Sequence, residues 1–205
     1  MKPFAALALM VLSLAACGPR LVTSDVTRFH ALPPAPPART FTILPSKAQT
    51  GSLEFQAYAN QIAAALSERG WRPVPAEGGR IGDAVVFLDY GVDEGRTRIW
   101  SEPTFTTGLG WGHGHSPWGW GYGAHIPIDR VRSDTSFLRW LEVEMAEGPA
   151  WRAGRVSKLF EGRAVSEGGA RALPEVMPYL VTALFDRFPG PSGQTVRVSV
   201  PVPGR

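Results

Sequence analysis

The sequence predicts an α+β protein: a two-layer sandwich in which a mostly antiparallel sheet carries two helices on one face. Three observations predict it. Two segments repeat their apolar residues at helical spacing, and several others alternate at strand spacing. The alternating segments also follow one another in pairs, bounded by turn residues. Paired neighbours imply antiparallel strands, and the apolar face of such a sheet has to be covered by a helical layer.

Val22–His30 reads as an edge strand. Leu32-Pro33-Pro34-Ala35-Pro36-Pro37 excludes helix and central strand, and reads as a stiff polyproline-like connector. Arg39–Leu44 alternates and stops at Pro45, as a strand does. Ser52–Arg69 is the first helix. Leu53, Phe55, Tyr58, Ala59, Ile62, Ala65 and Leu66 recur along it, with Ser52 as the cap and Gly70 as the stop. Trp71-Arg72-Pro73 then leads through Gly78-Gly79 to Asp83.

Ala84–Val92 carries Ala84, Val86, Leu88, Tyr90 and Val92 on one face of a strand. Asp93-Glu94-Gly95 reads as a hairpin turn that returns Arg96–Ser101 against it. A second hairpin is read in Phe137–Met145 and Arg155–Ser166, joined through Glu147-Gly148-Pro149, with Val156, Phe160 and Ala164 sharing a face. Leu173, Val176, Met177, Leu180, Val181, Leu184, Phe185 and Phe188 form a complete helical stripe. Pro174 suits its first turn, whereas Pro178 implies a start near Glu175 or a kink. Val196, Val198, Val200 and Val202 alternate as a terminal strand, kept to an edge by Pro201 and Pro203.

Composition narrows the function classes. The chain has 205 residues, 44% hydrophobic and 19% charged, which is globular and not disordered. A net charge of +3 gives no case for nucleic-acid binding, which needs a clustered basic face. The single cysteine excludes an intramolecular disulfide framework and a multi-cysteine metal cluster. The sequence holds no G-x-G-x-x-G, P-loop or G-x-S-x-G motif.

The amino terminus reads as an address. Lys2 supplies a positive start, and Phe4–Ala16 is an apolar run broken only by Ser13. That is shorter than the roughly 20 residues a spanning helix needs, and fits the core of a signal peptide over residues 1–16. Leu14-Ala15-Ala16-Cys17 resembles the lipobox of bacterial lipoproteins. The resemblance implies cleavage between Ala16 and Cys17 and a covalent lipid on the Cys17 thiol. Residues 17–21 then form a lipidated tether, and residues 22–205 one α+β domain on the periplasmic face of a membrane. Gly18 is compatible with sorting to the outer membrane.

Pro103–Ile128 carries no charge. Seven glycines alternate there with Trp111, Trp118, Trp120 and Tyr122, and the segment holds His113, His115 and His125. A loop of this length with no structure of its own is either functional or disordered. Three readings stand open. It is a Gly-rich loop resting on the domain. Or its aromatics form a contact surface for membrane, peptidoglycan or an envelope protein, since Trp and Tyr join apolar area to a polar tip. Or the three histidines ligate a metal ion, imidazole being a common ligand for zinc and copper.

Arg96, Arg98, Arg130, Arg132 and Arg139 flank the segment. If they converge, they suit anionic headgroups or an acidic partner; otherwise they are ordinary solvated strand positions. Asp83, Asp89 and Asp93 are the carboxylates closest in sequence to a catalytic set, but no nucleophile and base accompany them. The expectation is therefore a protein that is not an enzyme and has no cofactor beyond the lipid.

Four stretches resemble the bacterial lipoproteins grouped as domain-of-unknown-function family 4136. They are Ser24-Asp25-Val26-Thr27-Arg28-Phe29, Arg69-Gly70-Trp71 followed by the strand Asp83–Tyr90, the Gly/aromatic segment, and Lys158-Leu159-Phe160-Glu161-Gly162-Arg163-Ala164. Phe160 departs from the family's usual Trp, and Ala146–Gly154 is longer than its usual turn. The resemblance implies an envelope lipoprotein without assigned catalytic residues, and so implies no site besides Cys17.

Overall fold

The computed structural model describes residues 20–32, 39–104 and 128–203. In chain order the strands are β1 (Leu21–His30), β2 (Thr40–Ile43), β3 (Arg72–Pro73), β4 (Ala84–Val92), β5 (Arg96–Thr104), β6 (Ile128–Glu147), β7 (Lys158–Gly168) and β8 (Gln194–Pro201). The helices are α1 (Leu53–Ser67), α2 (Gly148–Arg152) and α3 (Leu173–Leu184). The strands form one sheet in the order β3-β2-β4-β6-β7-β1-β8, with β5 paired to β6 beyond the end of β4. Pairing is antiparallel except at β2, which runs parallel to β3 and β4. Parallel strands need a crossover between them, and α1 supplies it for β2 and β3.

The expected two-layer α+β arrangement is observed. α1 and α3 cover one face, where Ile62, Leu66, Met177, Leu180 and Leu184 meet Val86, Leu141, Met145, Phe160 and Ala164 in one buried core. Burying each large side chain contributes about 1.5–3 kcal/mol. α1 begins where the Ser52 Oγ accepts the Phe55 N–H at 3.2 Å. It ends where Gly70, at φ +84°, turns the chain so that the Trp71 N–H reaches the Leu66 carbonyl at 3.1 Å. Trp71 is thereby delivered into the core. Gly162 of β7 is a close-approach position: a Cβ there would lie 2.6 Å from the Phe160 ring and 2.9 Å from Leu184.

Two of the singled-out stretches meet at the carboxyl end of α3. The buried Arg28 guanidinium on β1 donates to the carbonyls of Ala183, Leu184 and Asp186 at 2.9, 2.9 and 3.0 Å. Arg69 donates from Nε to the Phe185 carbonyl at 3.0 Å and lies over the Phe185 ring. A helix leaves its last carbonyls unpaired and its carboxyl end partly negative, so two cations satisfy both needs there. Burial lowers both guanidinium pKa values, and the Asp186 carboxylate opposes that shift.

The structure corrects four local expectations. β1 is an interior strand between β7 and β8 and not an edge strand; the edge on that side is β8. Asp93-Glu94-Gly95 is not a hairpin turn. β4 and β5 run in the same direction, and both pair with the long strand β6. The three residues 93–95 face only Phe137 and Leu138, so they form a bulge in one continuous edge. Val156 precedes β7 and is exposed rather than sharing a face with Phe160. α3 starts at Leu173 with Pro178 inside it, so the proline neither delays nor ends the helix. The polyproline stretch at 33–38 lies outside the described residues.

Among the described residues, the opposite face of the sheet carries only the short α2, which the sequence reading did not foresee. Val85, Ala146 and Ala150 are buried there, and Trp151 packs on Phe87 with ring centroids 4.8 Å apart.

Candidate functional site

The bulge creates the feature that most resembles a site. The Asp93 carboxylate accepts the Gly95 N–H at 3.1 Å and the Leu138 N–H at 2.8 Å, closing the bulge across two strands. Gly95 sits at φ +87°, and a Cβ there would strike the Phe137 ring at 2.6 Å. One extra residue reverses which face successive side chains occupy. Even-numbered positions of β4 therefore face the helices, while even-numbered positions of β5 join the open face.

Beyond the bulge, among the described residues, β5 pairs only with β6, from Arg96↔Ser136 to Thr104↔Ile128. The result is a two-stranded ribbon about 26 Å long at roughly 3.3 Å per residue. Directly opposed residues share a face, so Arg96 and Arg98 lie on the face of Asp134 and Ser136, while the register sets position 132 opposite 100 and position 130 opposite 102. Of the five flanking arginines, Arg96 and Arg98 share one face of the ribbon. Asp134 shares that face, and the other face carries Thr97, Ile99, Ser133 and Thr135. The Thr97 and Thr135 hydroxyls bond across it at 3.1 Å.

Arg139 is not part of this group. It lies on the helix-facing side, 4% exposed, and donates to the Ala170 carbonyl and the Ser166 Oγ, both at 3.0 Å. Burial lowers its pKa. It ties the chain leading into α3 to the sheet.

The same end of the sheet receives the amino-terminal chain. Ser24 is opposite Ser166, and Ser166 is opposite Arg139. Counting three residues back along β1 and β6, which run parallel, brings Leu21 level with Ser136 at the ribbon base. Cys17, Ala16, Trp111, Trp118, Trp120, Tyr122, His113, His115 and His125 lie outside the described residues. Among the described residues no group of three His, Cys, Asp or Glu is placed to hold a metal ion.

The three sequence-neighbouring aspartates do not converge. Asp83 and Asp93 stand at opposite ends of β4, and Asp89 is exposed between them. Thr40 donates its backbone N–H and hydroxyl to Asp83 at 2.9 and 2.8 Å, which holds that carboxyl below its ordinary pKa. Two hollows lie on the open face. One, of about 260 Å³, is lined by Phe87, Trp151, Val156 and Lys158. The other, of about 510 Å³, is lined by Thr27, Phe29, Glu142 and Arg163. Their charged groups already pair: Lys158 with Glu144 at 3.3 Å and with Glu161, and Arg163 with Glu142 at 3.1 Å. Among the described residues neither hollow gathers a nucleophile with a base. The signal the sequence reading missed was Asp93-x-Gly95, which fits a bulge as well as a turn.

The fold is an α+β sheet with α1 and α3 on one face, α2 on the other and the β5/β6 ribbon at one end. Residues 26–190 match the family described as a domain of unknown function, DUF4136, and the chain belongs to that family. A crystal structure of a PDZ domain protein from Parabacteroides distasonis ATCC 8503 is similar at 12% identity and a TM-score of 0.48. The similarity covers 96% of this chain and 42% of that one, so this chain spans less than half of that protein's length. No curated protein matches the chain. The family description assigns no enzymatic activity.

Proposed function

We propose that this is a lipid-anchored protein of the cell envelope that acts as a structural or binding module without catalysing a reaction. One observation carries the reading: the only cysteine of the chain, Cys17, closes a lipobox-like Leu14-Ala15-Ala16-Cys17 and precedes the first strand by four residues. Cleavage falls between Ala16 and Cys17, and the mature chain holds to the membrane by acyl chains on the thiol. Each buried CH₂ contributes about 0.8 kcal/mol, and two or more chains hold stably. The domain sits at the periplasmic face of the outer membrane, where an envelope protein or peptidoglycan is its partner. Paired charges in the open-face hollows and scattered aspartates support a role without chemistry.

Replacing Cys17 with Ala tests this. The variant is expected to leave the membrane fraction for the soluble periplasm, and mass analysis of the wild-type amino-terminal peptide is expected to show the added acyl mass. A wild-type peptide with a free thiol, or a variant that stays in the membrane, overturns the anchor.

A further inference from the structure

We infer that the outer edge of β8 pairs two copies of this chain, strand against strand, about a two-fold axis at Arg197. The inference does not depend on the lipid anchor. Three observations carry it together.

The first is an unguarded edge. Among the described residues β8 pairs only with β1, and Thr195, Val196, Arg197 and Ser199 are exposed. The sheet ends on its other side at β3, which is two residues long, one of them Pro73, and offers a partner strand almost nothing. β8 runs for eight residues. The Val202 N–H donates to the Arg20 carbonyl at 2.7 Å, and bonded pairs alternate along an antiparallel ladder. Even-numbered residues of β8 therefore turn their backbone groups to β1. Thr195, Arg197 and Ser199 turn theirs outward. The next outward position is Pro201, which has no N–H and ends the usable stretch.

The second is a pattern that reads alike in both directions. Thr195-Val196-Arg197-Val198-Ser199 is a chemical palindrome. Two antiparallel copies centred on Arg197 set Thr195 opposite Ser199 and Val196 opposite Val198, and a two-fold interface demands that self-match. Each outward N–H of one copy then meets an outward carbonyl of the other. β8 already makes hydroxyl pairs of this kind with β1: Thr195 with Thr27 at 2.8 Å and Ser199 with Thr23 at 3.0 Å. Val196, 36% exposed, is set beside Val198 of the second copy, a position that packs against the core.

The third is charge. A bare cation on an edge strand wards off a second strand. Here Asp25 on β1 holds Arg197 by two bonds, Nε to Oδ1 at 2.8 Å and Nη2 to Oδ2 at 3.2 Å. The guanidinium is drawn back over the sheet, so the two arginines at the axis meet as neutral pairs and not as opposed cations.

One short edge buries little surface, so the dimer is weak and concentration decides it. The test uses the full chain carrying Cys17→Ala, which removes its only thiol and sets the anchor question aside. Residue-by-residue amide exchange is compared at about 0.05 mM and about 1 mM protein. The Thr195, Arg197 and Ser199 amides are expected to slow about threefold at the higher concentration for a Kd near 0.1 mM, while Val196, Val198 and Val200 do not change. Ser199→Pro removes an outward donor and no bond to β1, so it should abolish that slowing at Thr195 and Arg197 with the urea midpoint unchanged. In the same background, Arg197→Cys should oxidise to a disulfide dimer at least tenfold faster than Thr195→Cys or Ser199→Cys. Only position 197 faces itself across the axis, at a Cα separation of about 5.5 Å. Exchange at the three amides that ignores concentration overturns the inference. So does full protection at the lower concentration, which would show the edge covered within a single chain. Crosslinking no faster at position 197 than at 195 or 199 overturns the two-fold axis.

Discussion

Arg28→Ala removes the guanidinium that holds the carboxyl end of α3. Three charged hydrogen bonds of 2.9, 2.9 and 3.0 Å are lost. The carbonyls of Ala183 and Leu184 stay buried and lose these donors. Leaving a buried acceptor unpaired costs about 1–3 kcal/mol, and the vacated volume adds to that. Relief of the guanidinium's own desolvation offsets part, so a net loss of about 3–5 kcal/mol is expected. With a urea slope near 2 kcal/mol per molar, the unfolding midpoint falls by roughly 2 M. The melting temperature falls by about 10 °C or more. Arg69→Ala should cost less, about 1–2 kcal/mol, because its side chain is 27% exposed and water replaces part of what it gives. Arg28→Met separates packing from hydrogen bonding, since it keeps the stem and loses the donors. Were Arg28→Met as stable as the native chain, the argument that α3 is held by donors to its last carbonyls would be refuted.

Gly162→Ala is expected to cost about 1–3 kcal/mol by overpacking, because its Cβ meets the Phe160 ring and Leu184; a midpoint unchanged in urea would show that the ring moves aside freely. Asp93→Ala removes both bonds that close the bulge, and should speed amide exchange at Gly95 and Leu138 while leaving the core amides of α3 protected; uniform acceleration would mean that the bulge is integral to the core. The Tyr58 phenol donates to Glu54 at 2.9 Å, and burial together with that carboxylate raises its pKa. A raised folded-state value gives stability that is full below the unfolded value near pH 10 and declines as pH climbs above it, so Tyr58→Phe should flatten the alkaline limb. Asp83 has the opposite sign. Its folded-state pKa is lowered by Thr40, so its contribution is full above about pH 4 and falls away in more acid solution; Asp83→Asn should shrink that acid limb in a urea series against pH.

Much of the fold is local in origin and was legible in the residues. The stripe Val176, Met177, Leu180, Leu184 specifies a helix and the face it buries, and Ser52 and Gly70 mark where α1 starts and stops. Alternation along Ala84–Val92 specifies a strand and its inner face. The lipobox-like stretch at Cys17 is likewise a property of adjacent residues. Register is different in kind, because it depends on which distant strand is met. Asp93-Glu94-Gly95 carries turn residues, yet the competing gain from pairing β5 with the long β6 makes it a bulge. Val22–His30 reads as an edge, yet β8 returns from the far end of the chain to cover it. Only tertiary pairing brings Arg96 and Arg98 onto one face, sends Arg139 to the other, and sets Leu21 level with the ribbon base. Periodicity tells each segment which side to bury. Where the segments stand relative to one another is decided by long-range hydrogen bonding, which no window of neighbouring residues encodes.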